Sequence, residues 1–349
     1  MDLIKHIKNF AGKRILIIGD IMLDEYLWGK VNRISPEAPV PLVEIEREST
    51  SPGGAANVAN NILSLGGIPI LAGVVGKDRA GDILRNLLIE LGIDDRGVIS
   101  MNDYPTTRKT RVIAEDQQLV RFDRENKVKM DGAERDTLHE FIISKKGDVD
   151  AVLIEDYDKG LLNREFIEEI INCFKDCVIT ADPKFDNFFH YKGVTAFKPN
   201  KKEMEVSMGI KLFHDNLVET ARITRKKLEC KNLVVTLGRD GMFVIGDTGE
   251  WRIPHKAMTE VHDVAGAGDA VVSALTLSLT AGASIYESAL IASYAAGIEV
   301  GKVGVVPIKR EELVAAVERR EEGRGKRDGL SGYRAIKLSG NRGIGLSDE

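Results

Sequence analysis

Short apolar runs recur along the chain, and nearly every one stops at a polar cluster. Arg14 to Asp20 reads Arg-Ile-Leu-Ile-Ile-Gly-Asp, a near-continuous apolar run of the kind that sits in the middle of a parallel sheet. Ile68 to Gly76, Ala151 to Glu155, Cys177 to Ala181, Val194 to Phe197 and Asn232 to Thr236 repeat the theme. Segments with helical spacing separate them. Met1 to Lys13 reads as a short amphipathic helix. Further helices are predicted up to about Ser64, over Asp78 to Leu91, Asp131 to Lys145, Asn163 to Phe174, Asp215 to Cys230, Ala270 to Ala281, Ile285 to Val300 and Lys309 to Arg319. Strands alternating with helices imply an α/β fold with a mostly parallel sheet and helices on both faces. The polar clusters then converge on one edge of that sheet, where open α/β sheets bind ligands.

Three stretches break this rhythm by alternating apolar and polar residues. Val40 to Glu46 alternates after an irregular loop at Asn32 to Pro39. Thr106 to Ala114 with Gln118 to Asp123 reads as a hairpin, and Met242 to Ile245 with Trp251 to Pro254 as an antiparallel pair. The first two are expected to form a small β lid, from about 25–50 and 104–124. The kinship of these pieces to one sheet edge predicts a single unit over residues 1–320. The polar, glycine-rich segment 321–349 is expected to be a mobile tail.

The totals narrow the possibilities. At 349 residues the chain is long enough for a large core, and 43% hydrophobic with 30% charged is ordinary for a globular protein. A net charge of −5 argues against a nucleic-acid partner. No apolar run approaches the roughly 20 residues that span a bilayer, so no membrane partner is expected. The N-terminal helix lacks the continuous apolar core of a signal peptide. Three cysteines, an odd number, point to a reducing cytoplasm rather than a disulfide framework. Cys173 and Cys177 have no histidine beside them and read as buried small apolar residues.

The candidate chemistry lies in the glycine-rich turns. Gly266-Ala267-Gly268-Asp269 stands where a loop becomes a helix. Unpaired backbone N–H groups there favour an anion, and glycine lets it approach closely. Asp269 is either a first-turn carboxylate that suits the helix dipole or a base for a hydroxyl attacking a phosphate held in that cradle. Ser51 to Asn60 is a second such turn, and it offers Asn57. Asn200 and Glu203, three apart at a helix start, read as a capping box, as ligands of a water-rich Mg²⁺, or as both. Thr236, Leu237 and Gly238 end a strand where a nucleotide would lie. Asp20 and Asp24 follow the first strand, either starting a turn or facing the ligand edge. Lys109, Arg111 and Arg121 are a solvated face or a meeting point for an anionic substrate. There is no Walker A sequence, and no Gly-x-Gly-x-x-Gly follows the first strand.

Three motifs in order, Pro52-Gly-Gly-Ala-Ala-Asn57, Asn200-Lys-Lys-Glu203 and Asp263-Val-Ala-Gly-Ala-Gly-Asp269, carry a resemblance. From about residue 12 to 320 the chain resembles the ribokinase-like carbohydrate kinases, the PfkB family. Within it the chain looks most like the D-glycero-β-D-manno-heptose 7-phosphate kinases, on Gly19-Asp-Ile-Met-Leu-Asp24, Arg33-Ile-Ser-Pro-Glu-Ala-Pro-Val-Pro41, Thr107 to Val112, Gln117 to Asp123, Asp156-Tyr-Asp-Lys-Gly160 and Asp182-Pro-Lys184. The resemblance implies a three-layer sandwich with a β lid. It implies ATP-dependent phosphorylation of the anomeric hydroxyl of a heptose 7-phosphate to the 1,7-bisphosphate, on the route to ADP-heptose. Asp269 would be the base, and Gly266, Ala267 and Gly268 the anion hole. Asn200 and Glu203 would hold Mg²⁺ and the ATP phosphates. Asp24, Gly53, Gly54 and Asn57 would hold sugar hydroxyls, and Arg33, Lys109, Arg111, Arg121 and Lys184 are the cations available to the substrate phosphate. Asp263 matches a position that helps hold a monovalent cation such as K⁺. A homodimer through the lid is implied as well. Relatives usually carry Thr where this chain has Val264, and often where it has Ala265. Three other readings compete: a kinase of another sugar, sugar phosphate or nucleoside, a non-catalytic sugar- or nucleotide-binding regulator on the same fold, and a dinucleotide-dependent oxidoreductase, which the missing Gly-x-Gly-x-x-Gly counts against. The joint presence of Asp269, Asn200 and Glu203 counts against the second.

Overall fold

The computed structural model describes residues 2–115, 117–255, 266–302, 304, 306–325 and 336–337. Helix α1 (Leu3–Lys8) leads into β1 (Arg14–Gly19), β2 (Ile21–Ile34), β3 (Pro41–Gly54) and α2 (Ala55–Ser64). Then come β4 (Ile68–Gly76), α3 (Arg79–Glu90), β5 (Asp94–Met101), β6 (Thr107–Ala114), β7 (Gln117–Arg124) and α4 (Gly132–Ile143). The βα units follow as β8 (Ala151–Glu155), α5 (Arg164–Cys173), β9 (Val178–Asp182), β10 (Ala196–Phe197), α6 (Lys201–Met208), α7 (Leu217–Leu228) and β11 (Asn232–Thr236). The chain continues through β12 (Met242–Gly246), β13 (Gly249–Ile253), α8 (Ala267–Thr280), α9 (Ile285–Glu299), α10 (Arg310–Gly325) and β14 (Ile336–Lys337).

The main sheet runs β14-β13-β12-β11-β10-β9-β8-β1-β4-β5, parallel from β11 to β5 and antiparallel through β12, β13 and β14. The apolar pattern of β1 explains the layering. Ile15 and Ile17 enter one core with α2, α3, α8 and α9, while Leu16 and Ile18 enter another with α4, α5 and α7. A strand apolar on both faces needs helices on both faces, and the result is a three-layer α/β sandwich. Helix α8 is small-residue rich and almost wholly buried against α2 and α9.

A second sheet, β3-β2-β6-β7, forms the lid. It begins earlier and ends later than the alternation suggested. Strand β2 extends to Ile34 through part of the expected loop, and β3 carries Ser51-Pro-Gly-Gly54 as strand rather than turn, paired from Ile21↔Gly54 to Ile34↔Pro41. Prolines fit because β3 is an edge strand, where a missing N–H costs little. Strand β5 was not legible: its first half, Asp94-Asp-Arg, is charged, as suits the outer strand of the main sheet. Beyond residue 320 helix α10 runs on to Gly325, and β14 pairs with Trp251 and Arg252.

This topology sets the site. Asp20 alone separates β1 from β2, so the lid grows directly from the ligand edge of the main sheet. Strand β3 then returns there and delivers the chain into α2. Asp24, Gly53, Gly54 and Asn57 therefore cluster at the root of the lid. Strand β6 lies parallel to β2 and sets Lys109 beside Asp24 and Arg111 beside Tyr26.

Candidate functional site

Helix α8 opens at Gly266, whose φ of 82° is left-handed and suits glycine. Its side chain-free start leaves the first backbone N–H groups without a side-chain cap. A Cβ on Gly268 would meet nothing closer than Lys198 Nζ at 3.9 Å, so the space over this turn is open and cationic. Asp269 follows, 6% exposed. Asn57 Nδ2 donates to its Oδ2 at 2.7 Å, and the Tyr157 hydroxyl donates to its Oδ1 at 3.0 Å. Burial pushes its pKa up, against the lowering effect of those two donors and of Lys198. A carboxylate raised by burial, beside an anion cradle, is equipped to take a proton.

At the root of the lid Arg111 Nη1 donates to Asp24 Oδ1 at 2.6 Å, with both side chains buried. A Cβ on Gly53 would lie 2.6 Å from Asp24 Oδ2, and one on Gly54 2.4 Å from the Asp20 carbonyl. Both positions need glycine for the lid to fold back this closely. Lys109 and Lys184 place their ammonium groups 4.7 and 4.9 Å from the centre of the Tyr157 ring. Arg33 stands apart. It is exposed at the far end of β2, 3.9 Å from Glu44, and Arg121 is turned to Asp123 on the exposed strand β7.

On the other side of Asp269 lies a cavity of about 570 Å³, within the range that encloses a nucleotide-sized ligand. Gly266, Ala267 and Gly268 line it, as do Asn200, Glu203, Thr236, Leu237 and Gly238, while Met242, Ala296 and Val300 supply an apolar end. Asn200 and Glu203 form a full capping box. Asn200 Oδ1 accepts from the Glu203 N–H at 2.9 Å, and Glu203 Oε2 from the Asn200 N–H at 2.7 Å. Glu203 also accepts from Lys184 Nζ. With these oxygens already engaged, a metal would be reached through its own waters, the mode Mg²⁺ favours. Among the described residues no group of three or more His, Cys, Asp and Glu is placed to hold a metal ion directly. Lys198 completes the floor, 2.8 Å from Asp182 Oδ2 and itself 3% exposed. Burial pushes Asp182 up to about 6. Burial would lower Lys198, but the charges of Asp182 and Glu203 raise it.

The model of the pfkB family carbohydrate kinases matches residues 13–311. The chain belongs to this family. It is 40% identical over 314 residues to the Bifunctional protein HldE of Desulfatibacillum aliphaticivorans, covering 88% of this chain and 64% of that one. The protein of the same name from Syntrophotalea carbinolica is 39% identical, at 89% and 65% coverage. The kinase thus spans less than two thirds of these curated relatives. Its fold is that of phosphofructokinase-2 from Escherichia coli in its tetrameric inhibited form, with a TM-score of 0.74 at 19% identity over 89% of this chain and 100% of that one. Ribokinase from Arabidopsis thaliana, complexed with ribose and ATP, gives 0.68 at 18%, over 88% and 99%.

Three further residues that line this cavity, Tyr157, Asp182 and Lys198, were not among the candidates offered by the sequence. Each stands in a polar cluster just after or at the end of β8, β9 or β10. Tyr157 and Asp182 also fall in the motifs Asp156-Tyr-Asp-Lys-Gly160 and Asp182-Pro-Lys184, whereas position was the only signal for Lys198. Asp263, Val264 and Ala265 lie outside the described residues. Among the described residues no helix is long and apolar enough to cross a membrane.

Asp20 gives a pH test of the lid root. Its Oδ2 accepts from the N–H groups of Tyr157 at 2.7 Å and Lys159 at 3.1 Å. Burial, aided by Asp156, still pushes its pKa from 3.8 up to about 7. Folding therefore binds a proton here. The associated stability is fully present below about pH 4 and is lost as pH rises through about 7. Asp20→Asn keeps an acceptor for both N–H groups. It should flatten the slope of unfolding free energy with pH between about 4 and 7, measured by urea titration across that range. An unchanged slope would assign it to other groups.

Proposed function

We propose that the kinase transfers the γ-phosphoryl group of ATP to the anomeric hydroxyl of D-glycero-D-manno-heptose 7-phosphate, giving the 1,7-bisphosphate in the supply of ADP-heptose. The observation that carries the phosphoryl-transfer geometry is the placement of Asp269 between the open turn of α8 and the root of the lid. The heptose assignment rests on the motifs of β2, β6, β7 and the loop after β8, and is supported by the HldE relatives at about 40% identity.

In this reading Asp269 takes the proton of the anomeric hydroxyl as it attacks. The N–H groups of Gly266, Ala267 and Gly268, with the ammonium of Lys198 beside them, oppose the charge on the transferred group. Asp24, Gly53, Gly54 and Asn57 orient the sugar. Asn200 and Glu203 would hold Mg²⁺ through its waters, and bound Mg²⁺ would supply positive charge to the ATP phosphates. Asp263 serves K⁺. The reaction is placed in the cytoplasm, in keeping with the free thiols of Cys173, Cys177 and Cys230. A homodimer through the lids is supported by Ile45, Val120 and Phe122, large apolar residues exposed on that sheet. Sedimentation at micromolar concentration tests it, and a monomer would reject it.

The cations offered to the 7-phosphate are now unequal. Arg111 is committed to Asp24 and Lys184 to Glu203. Lys109 is partly buried, its pKa is lowered by burial, and among the described residues it makes no ion pair with a carboxylate within salt-bridge distance. Lys109→Met should raise KM for the sugar phosphate about tenfold or more and leave KM for ATP within about twofold, because a charge-assisted contact is lost. Arg33→Ala, on an exposed side chain, should change either KM by less than about twofold. The reverse ranking would move the phosphate to the tip of the lid.

The reaction itself is tested by ADP release with Mg²⁺ and K⁺ against heptose 7-phosphate, sedoheptulose 7-phosphate, fructose 6-phosphate, ribose and a nucleoside. Selective turnover of the heptose phosphate is expected. Preference for another member would keep the base and the cradle and reassign the lid.

A further inference from the structure

Tyr157 lies in the loop after β8 and belongs to none of the roles assigned above. Its hydroxyl reaches Asp269 Oδ1 at 3.0 Å, while Asn57 occupies the other carboxylate oxygen. Its backbone N–H is fixed to Asp20 Oδ2 at 2.7 Å. Its ring takes two ammonium groups, Lys109 from lid strand β6 and Lys184 from beyond β9. The residue is therefore tied at its backbone to the end of β1, at its ring to the lid and to the nucleotide side, and at its tip to the base.

We infer that Tyr157 is the positioning residue of the phosphoryl-transfer site, fixing the Asp269 carboxylate so that a lone pair faces the sugar hydroxyl. The inference rests on the reading of Asp269 as the base. Burial and the neighbouring Asp269 charge hold the phenol well above its ordinary pKa, so it stays a donor. With one donor on each oxygen, the carboxylate cannot turn about its Cβ–Cγ bond without losing both contacts. Catalytic groups need such support, because a small misorientation at the moment of attack costs rate rather than binding. The cation contacts add direction to this: the ring's attraction for Lys109 makes the tyrosine sensitive to where β6 sits. The base is thus best oriented when the root of the lid is in place.

Tyr157→Phe removes one hydroxyl and keeps the ring and both ammonium contacts. In the full chain, with whichever sugar phosphate is turned over, it should lower kcat roughly 10- to 100-fold while KM for ATP and for the sugar change less than about twofold. The acid limb of the kcat profile should move to higher pH, because a donor that lowers the Asp269 pKa is gone. The other charges around Asp269, namely Lys198, Asp24, Lys109 and Glu155, are unchanged in the variant. A purely structural role would lower the melting temperature without moving that limb. Normal kcat, or a rise in the sugar KM with kcat intact, would overturn the inference, the latter making Tyr157 a substrate contact. Asp269→Asn in the same assay keeps the two readings apart. If it is inactive and Tyr157→Phe is normal, only the positioning role fails. If it too is normal, the base itself has been misassigned.

Discussion

Asp269→Asn should lower kcat by about three orders of magnitude, within the range that a general base contributes, and leave ATP binding intact. The N–H groups of the α8 turn and the residues lining the nucleotide cavity are untouched by the change. The same variant should be no less stable than the parent. Asp269 is buried and its pKa is raised, so the folded state bears a cost for its charge that an amide does not have. The Tyr157 hydroxyl can still donate to the amide oxygen. Asn57 loses its acceptor on the other side, which offsets part of the gain. Loss of turnover together with an equal or higher melting temperature is the signature of a group kept for chemistry at the expense of stability. A kcat within tenfold of the parent would remove Asp269 from the mechanism.

The contrast between Asp269 and its neighbours shows what sequence could and could not reveal. Asp269, Asn57, Asn200 and Glu203 sit in short local motifs at helix starts, glycine-rich before α2 and α8 and a capping box at α6. Such turns are legible because a single backbone conformation demands small residues, and the chemistry lies within a few positions of them. The parallel sheet was legible for a similar reason, since β1, β4, β8 and β11 are apolar on both faces. Strand β5 is half charged at the sheet's outer edge and left no such signal. Tyr157 and Lys198 depend on contacts 112 residues away in one case and on a neighbouring strand end in the other. No periodicity encodes that. Arg33 and Arg111 differ in where the fold places them. Both looked available to a substrate phosphate, but one is exposed at the far end of β2 and the other is consumed by Asp24. A cation's availability is a property of the folded neighbourhood, and for Arg111 it is the pairing of β2 with β6 that brings Asp24 within reach.

Lys198 carries the second large expectation. Lys198→Met keeps the volume and removes the charge that faces both Asp182 and the open space above Gly268. Turnover should fall by about two to three orders of magnitude, as when one preorganised donor to a transition-state charge is removed. Stability should fall too, by roughly 1–2 kcal/mol near neutral pH, because Asp182 loses the ammonium that opposes its burial and protonation limits the cost. The two losses have different origins and can be separated by pH. Burial already pushes Asp182 up to about 6 in the parent, with Lys198 opposing the rise. Without that ammonium the folded pKa climbs further above the ordinary 3.8, so Asp182 binds a proton on folding over a wider window. The stability deficit should therefore be small near pH 5, where Asp182 is neutralised, and grow as pH rises towards 8. Adding Asp182→Asn should restore the melting temperature at pH 8 and leave turnover low. If the double variant regained activity with its stability, Lys198 would be a structural counter-ion to Asp182. If it regained only stability, the ammonium acts on the phosphoryl group itself.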